Sequence, residues 1–215
     1  MSLNSSGKKL LVELKNLAGT QGFDYRLKIS EVNGAWLRPT ATRRQLQDID
    51  DVRCLTKWRN KHVTSFLTAF IATERQTSEW LSNIVGPDDG RILFMVDDDE
   101  EKVTIGYMGL ALINWETGYC EADSIVRGIS GRKGIMTMGL HTLLSWGKNQ
   151  LGLNEFGVRV RSDNPAAMDF YRKNGFIEKK RIPLSCKRSE DKFIWYEDEK
   201  NLSSNMSIVY NIYEG

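Results

Sequence analysis

Three β-rich runs follow one another with no helix between them: RILFMV (91–96), KVTIGYMGLALIN (102–114) and YCEADSIV (119–126). Only after Gly134 does a long helical pattern begin, IMTMGLHTLLSWGKNQLG, with Met136, Leu140, Leu143, Leu144 and Leu151 on its inward side. Adjacent strands without an intervening helix exclude a doubly wound parallel sheet, in which every strand is followed by a helical crossover. The expected class is therefore α/β in the α+β sense: a mixed, mostly antiparallel central sheet flanked by helices.

The flanking segments fill in the order. FGVRVRS (156–162) is a strand, NPAAMDFYRKNG (164–175) a short helix, FIEKKRIPL (176–184) a strand and MSIVYNIY (206–213) a last strand. Upstream, WLRPT reads as a short strand, residues 48–67 as one or two helices, and Thr77 as the start of a helix that stops at Gly86. Residues 1–35 form an extension, with Leu10, Leu11, Leu14 and Leu17 at helical spacing and an alternating stretch, YRLKISEV (25–32), that reads as a strand. The remainder, 36–213, reads as one domain.

Composition narrows the function. The chain has 215 residues, enough for a full core, and 30 Lys+Arg against 28 Asp+Glu leave a net charge of +2. That balance points to neither nucleic acid nor an anionic membrane as partner. Cys54, Cys120 and Cys186 are far apart and form no CxxC pair, so neither a disulfide framework nor a thiolate metal site is expected, and a cytoplasmic setting fits. With His62 and His141 the only histidines, chemistry here must proceed without much imidazole. The cysteines are expected to pack, and DDDEE (97–101) to be a solvated hairpin turn rather than a Ca²⁺ loop.

Two segments carry chemistry. In VRGISGRKGIM (126–136), glycines lie between a strand and the long helix. A helix that opens there aims unpaired backbone N–H groups and its dipole's positive end at an anion. Lys133 precedes Gly134 rather than following it, and no GxG is present, so neither the nucleotide P-loop nor the dinucleotide fingerprint fits. In the second segment Asn164 caps a helix with Pro165 at its first position, and Asn164 and Tyr171 lie about two turns apart, on one face.

Together, in this order, the segments resemble the GNAT superfamily of N-acetyltransferases. ADSIV (122–126), GRKGIM (131–136), the helix to Gly152, VRVRS (158–162) and NPAAMDFYRKNGF (164–176) match its strand, [Q/R]xxGx[G/A] turn, helix, strand and N…A…Y…GF unit. LTKWRN (55–60) and EWL (79–81) are similar to the branch that acetylates ribosomal proteins and amino-sugar nucleotides. The resemblance implies acetyl-CoA as donor. Backbone groups of Ile125 and Val126 would pair with its pantetheine arm, those from Gly131 through Arg132, Lys133, Gly134 and Ile135 to Met136 would cradle the pyrophosphate, and Asn164, Ala167 and Tyr171 would line the arm. Gly131 and Met136 depart from the pattern. Arg132 or Lys133 is expected to replace the missing side chain at 131, and Met136 to crowd the backbone approach.

Acetyl transfer to an amine needs a base for the ammonium proton and an acid for the departing thiolate. Tyr171 is the expected acid. Glu121 and Asp123 share a strand face and are the candidate bases, Glu121 preferred by resemblance and Asp123 nearer the expected acetyl group; recognition of the amine or a plain salt bridge is the alternative for both. Trp58, Arg59 and Trp80, with Asn60 and Trp115, are candidates to line the acceptor site, and no metal is expected. Residues 184–205 form either an arm over that site or a homodimer contact. The preferred acceptor is a small-molecule amine such as an amino-sugar nucleotide. A protein N-terminus, or a non-catalytic acyl-CoA-binding role motivated by the altered glycine loop, are the alternatives.

Overall fold

The computed structural model describes residues 3–215. The elements run α1 (Leu3–Leu17), β1 (Leu27–Lys28), β2 (Ala35–Pro39), α2 (Ile49–Lys61), β3 (Thr68–Ala69), α3 (Glu74–Trp80), β4 (Ile92–Asp98), β5 (Val103–Ala111), β6 (Tyr119–Arg127), α4 (Ile135–Leu151), β7 (Glu155–Arg161), α5 (Pro165–Lys173), β8 (Phe176–Ser189), β9 (Lys192–Glu197) and β10 (Ser207–Tyr213). The ten strands form one sheet in the order β1-β2-β4-β5-β6-β7-β10-β8-β9-β3. Each neighbouring pair is antiparallel except β6–β7, which α4 joins by a parallel crossover. No helix among the described residues is long and apolar enough to cross a membrane.

The sheet is covered on both faces, and β4 shows why its sequence is an unbroken apolar run. Side chains alternate across a strand, so Ile92, Phe94 and Val96 join the core shared with α1 and α4, whereas Leu93 and Met95 join the core shared with α2 and the turn after α3. The extension is part of this core: Leu11, Leu14 and Ile29 are buried in the same cluster as Leu140 and Leu144 of α4. Lys15 of α1 is also buried, and its ammonium donates to the carbonyls of Val85 and Asp88.

Several local expectations are corrected. The strand expected over 25–32 shrinks to Leu27–Lys28, because Glu31 takes a positive φ of 64° and turns the chain. The helix expected from Thr77 starts earlier, at Glu74, because Thr73 and Gln76 form a reciprocal capping box; Thr77 is inside it, buried and bonded to Thr56. Residues 48–67 resolve into α2, capped by Asp48, and a short 3₁₀ turn at Val63–Ser65. The strand begun at Phe176 runs on to Ser189 and turns into β9, which pairs with β3 through Thr68↔Ile194 and Ala69↔Phe193. The mixed-charge stretch 184–205 is thus an arm folded back onto the segment between α2 and α3.

Leu11→Ala removes a fully buried side chain between α1 and the sheet, and is expected to lower the unfolding free energy by about 2–5 kcal/mol. Urea unfolding reads this directly; an unshifted midpoint would show that α1 contributes nothing to the core.

Candidate active site

The parallel pair β6–β7 lasts only three positions, Tyr119↔Glu155, Cys120↔Phe156 and Glu121↔Gly157. Beyond them β6 pairs only with β5, and β7 is bonded along its other edge to β10. Within β6 the register against β5 passes from Gly109↔Asp123 to Tyr107↔Val126, which leaves one extra residue in β6, and Ser124 there has φ 53°. A bulge of this kind bends the strand and increases its twist. The two strands splay around a cavity of about 760 Å³, and the edge of β6 at Ile125 and Val126 forms part of its wall. Backbone groups on an open strand edge are a template for an extended, amide-bearing ligand.

The glycine loop follows at the end of β6. Gly128 lies against the indole of Trp58, where a Cβ would come within 2.0 Å of the ring, and a Cβ on Gly131 would come within 2.5 Å of Ile105 Cδ1. At 131, where the family pattern has a long side chain, any side chain would have to displace the terminal methyl of Ile105. Gly134 has φ 86° and opens α4, whose first turn leaves N–H groups without intrahelical acceptors. Met136, expected to crowd this turn, is buried in the main core.

Arg132 is also not where it was expected. Its Nε and Nη2 bond Asp98 at 2.6 and 2.8 Å and its Nη1 bonds Glu100 at 3.1 Å. Asp98 has a fully buried side chain, so the acidic turn is a clamp that holds the loop and is not simply solvated. Lys133 remains exposed. The cation on the cavity side is Arg127, whose guanidinium reaches the carbonyls of Ile129 and Gly131 at 3.2 and 3.5 Å.

Asn164, Ala167 and Tyr171 all face the cavity from α5. Asn164 Oδ1 accepts from Ala167 N at 3.1 Å and caps the helix, which leaves its amide nitrogen as the group for a ligand. Tyr171 is buried edge-to-face between Phe170 and Phe176, and its hydroxyl has no hydrogen-bond partner among the described residues. Burial, and then the charge of Asp123, raise its pKa above the ordinary 10.0, so it stays protonated and available as a donor. Tyr107 shares these features on β5 and was not apparent in the sequence; burial likewise pushes its pKa up.

The two carboxylates sit on the cavity wall in different states. Both oxygens of Glu121 are engaged, one by Tyr119 at 3.0 Å and the other by Arg159 at 2.8 Å, and its side chain is 10% exposed. Asp123 is 40% exposed, accepts from Ser124 Oγ at 2.9 Å and has Arg91 at 3.3 Å.

Among the expected acceptor residues, Arg59 and Trp80 line the cavity. Trp58 does not: it is buried in the second core, stacked on Tyr107 at 6.3 Å beneath Gly128. Asn60 is occupied by two bonds to the backbone of Ala72, and Trp115 packs against the main core with its indole donating to the Asp89 carbonyl. Cys186 is exposed, contrary to expectation, and burial raises the thiol pKa of Cys54 and Cys120, the opposite of what a nucleophile needs.

A scan against family models matches residues 36–177 to the acetyltransferase (GNAT) domain. The chain belongs to the GNAT acetyltransferase family. A probable GNAT-family acetyltransferase from Chromobacterium violaceum ATCC 12472 shares the fold at a TM-score of 0.63 and 14% identity, over 90% of this chain and 88% of that one. Spermidine N-acetyltransferase from Vibrio cholerae, solved in complex with CoA and spermine, aligns at a TM-score of 0.63 and 16% identity over 83% and 94%. A search of curated proteins finds no match.

As an acetyl-CoA-dependent N-acetyltransferase, the protein must hold a long, amide-rich arm ending in a pyrophosphate. The residues present fit that demand: an open strand edge at Ile125 and Val126, an amide donor on Asn164, and a helix start at Gly134 with Arg127 beside it.

The Asp98–Arg132 clamp yields a test in this acetyltransferase. Burial alone pushes the Asp98 carboxyl up, but the Arg132 pair and the Glu101 N–H outweigh it and hold its pKa below 3.8. A depressed folded pKa contributes stability above the unfolded value, and this is lost as pH falls through the folded one. Asp98→Asn is expected to lower the thermal midpoint at pH 7, with the gap to wild type narrowing below pH 3.8. A gap that stays constant from pH 7 to pH 3 would refute an ionic clamp.

Proposed function

We propose that the enzyme moves an acetyl group from acetyl-CoA to the primary amine of a small molecule, with an amino-sugar nucleotide as the preferred acceptor. The observation that carries this reading is the meeting, where β6 and β7 part, of an unbonded and protonated Tyr171 hydroxyl with a partly exposed Asp123 carboxylate. Acetyl-CoA supplies an activated thioester; the chain supplies the proton transfers. Asp123, directly or through a water, takes the proton that the ammonium must lose before it can attack, and Tyr171 Oη gives a proton to the departing sulfur. Asp123 suits the base better than Glu121, whose two oxygens are already engaged. Glu121 instead orients Arg159 and, through it, the cavity wall.

The acceptor end supports a small molecule over a protein terminus. The β3–β9 pairing walls it, reinforced by Trp195 N to the Leu67 carbonyl at 2.8 Å and by Arg161 stacked over Trp195. Trp80 offers an apolar face of the kind that suits a sugar ring. That the Vibrio cholerae relative is a spermidine N-acetyltransferase supports an amine as acceptor in general. The motive for a non-catalytic role, an altered glycine loop, weakens because Gly131 packs directly on the Ile105 side chain and Met136 is buried in the main core.

Tyr171→Phe is expected to lower kcat by roughly a hundredfold, within the usual range for a lost general acid. Acetyl-CoA affinity, read by calorimetry, should change little, and an unchanged kcat would remove Tyr171 from the mechanism. In the wild type the raised pKa places any Tyr171-dependent loss of turnover above pH 10.0, which a kcat profile on the alkaline side checks.

A further inference from the structure

Several guanidinium groups reach the cavity, and all but two of them meet a carboxylate. Arg91 pairs with Asp88 and Asp123, Arg159 with Glu121 and Glu197, and Arg161 with Asp163. Arg127 binds the glycine-loop carbonyls at the coenzyme end. Arg59, on α2 at the acceptor end, is the exception that matters. Its Nη1 and Nη2 donate to the carbonyls of Phe70 and Thr68 at 2.6 and 2.9 Å, and its Cζ lies 4.0 Å from the Phe70 ring centre and 5.1 Å from that of Phe66. It makes no ion pair with any carboxylate among the described residues.

Carbonyl dipoles and ring faces orient a guanidinium but do not neutralise it. The group carries five N–H donors, so the two carbonyl bonds leave Nε and further η hydrogens unused. A partly desolvated charge with no counter-ion is costly, and a planar fork of free donors is the geometry that grips carboxylate or phosphate. Burial acts on it in the same sense, pushing its pKa down, although a guanidinium remains charged throughout. Tyr107 stands between the two ends, within electrostatic reach of both Arg59 and Asp123. The acceptor half of the cavity is therefore bipolar, with a carboxylate at the amine end and an unpaired cation at the other.

We infer that Arg59 receives an acidic group carried by the acceptor, a carboxylate or a phosphate, so that the enzyme selects amines bearing an anionic group over neutral amines and polyamines. The inference rests on the proposed acetyl transfer to a small-molecule amine and names the chemistry of that molecule's distal end.

The test uses matched amines with the CoA-loaded full chain: 4-aminobutyrate against butylamine, glucosamine 6-phosphate against glucosamine, and spermidine. Binding is read by calorimetry, and turnover separately by thiol release from acetyl-CoA. At least one acid-bearing member is expected to bind about tenfold to a hundredfold more tightly than its neutral partner, the range for a charge-assisted pair. The pair with the larger ratio tells carboxylate from phosphate. In Arg59→Gln that ratio should collapse toward one, with Arg59→Lys keeping part of it. In the wild type the ratio should also fall as salt rises, a readout that needs no variant. No preference for either acid-bearing amine, tighter binding of spermidine, or a ratio that survives Arg59→Gln would each overturn the inference. Preferential binding without thiol release from any amine would leave Arg59 as the anion anchor and refute acetyl transfer to these acceptors. Release from neutral amines without preference would do the reverse.

Discussion

The two central strands that run parallel hold together for three pairs and then part, and the site is built in the gap. A sheet interior normally leaves no backbone group unpaired. Here the extra residue at Ser124 bends β6 away, and β7 stays bonded to β10 along its other edge. The parting exposes a strand edge inside the molecule, opens the cavity between the layers, and brings Tyr171 of α5 opposite Asp123 of β6.

Charge organises what the bulge opens. On the coenzyme side, buried Asp98 holds Arg132 and thereby fixes the loop from Gly128 to Gly134, so the arginine next to the helix start supports the loop rather than its ligand. On the acceptor side, Glu121 and Arg159 neutralise each other, Asp123 pairs with Arg91 through one oxygen and stays 40% exposed, and Arg59 meets no carboxylate among the described residues. Both arrangements use the same physics: a paired and buried charge is a brace, and a charge with unused hydrogen-bonding capacity is a site.

Much of this was legible beforehand. The antiparallel run β4–β5–β6, the long helix α4 and the capped helix α5 follow from apolar periodicity and from Asn164-Pro165 and Gly175, all local signals. The glycine loop and Tyr171 were visible for the same reason. The short pieces were not: β3 owes its existence to β9, more than a hundred residues away in the chain. Trp58 looked like a ligand-facing aromatic because sequence does not say which side of α2 meets the loop, whereas Gly128 leaves room for its indole and nothing else. Tyr107 and Arg127 carried no motif and became candidates only through their place on the cavity wall.

The sequence by itself determined the longer elements and their order, the mixed sheet and the resemblance to the family, because the signals for each element lie within a few turns of one another. Tertiary structure alone decided which charges are paired. Glu121 and Asp123 lie on the same strand and read alike as letters, yet Tyr119 and Arg159 take both oxygens of the first, while Arg91 and Ser124 share a single oxygen of the second. Arg132 and Arg59 likewise read alike, yet Asp98 meets the first and no carboxylate among the described residues meets the second. Ion pairs form over a few ångströms between residues that the chain holds far apart, and only the fold sets those distances.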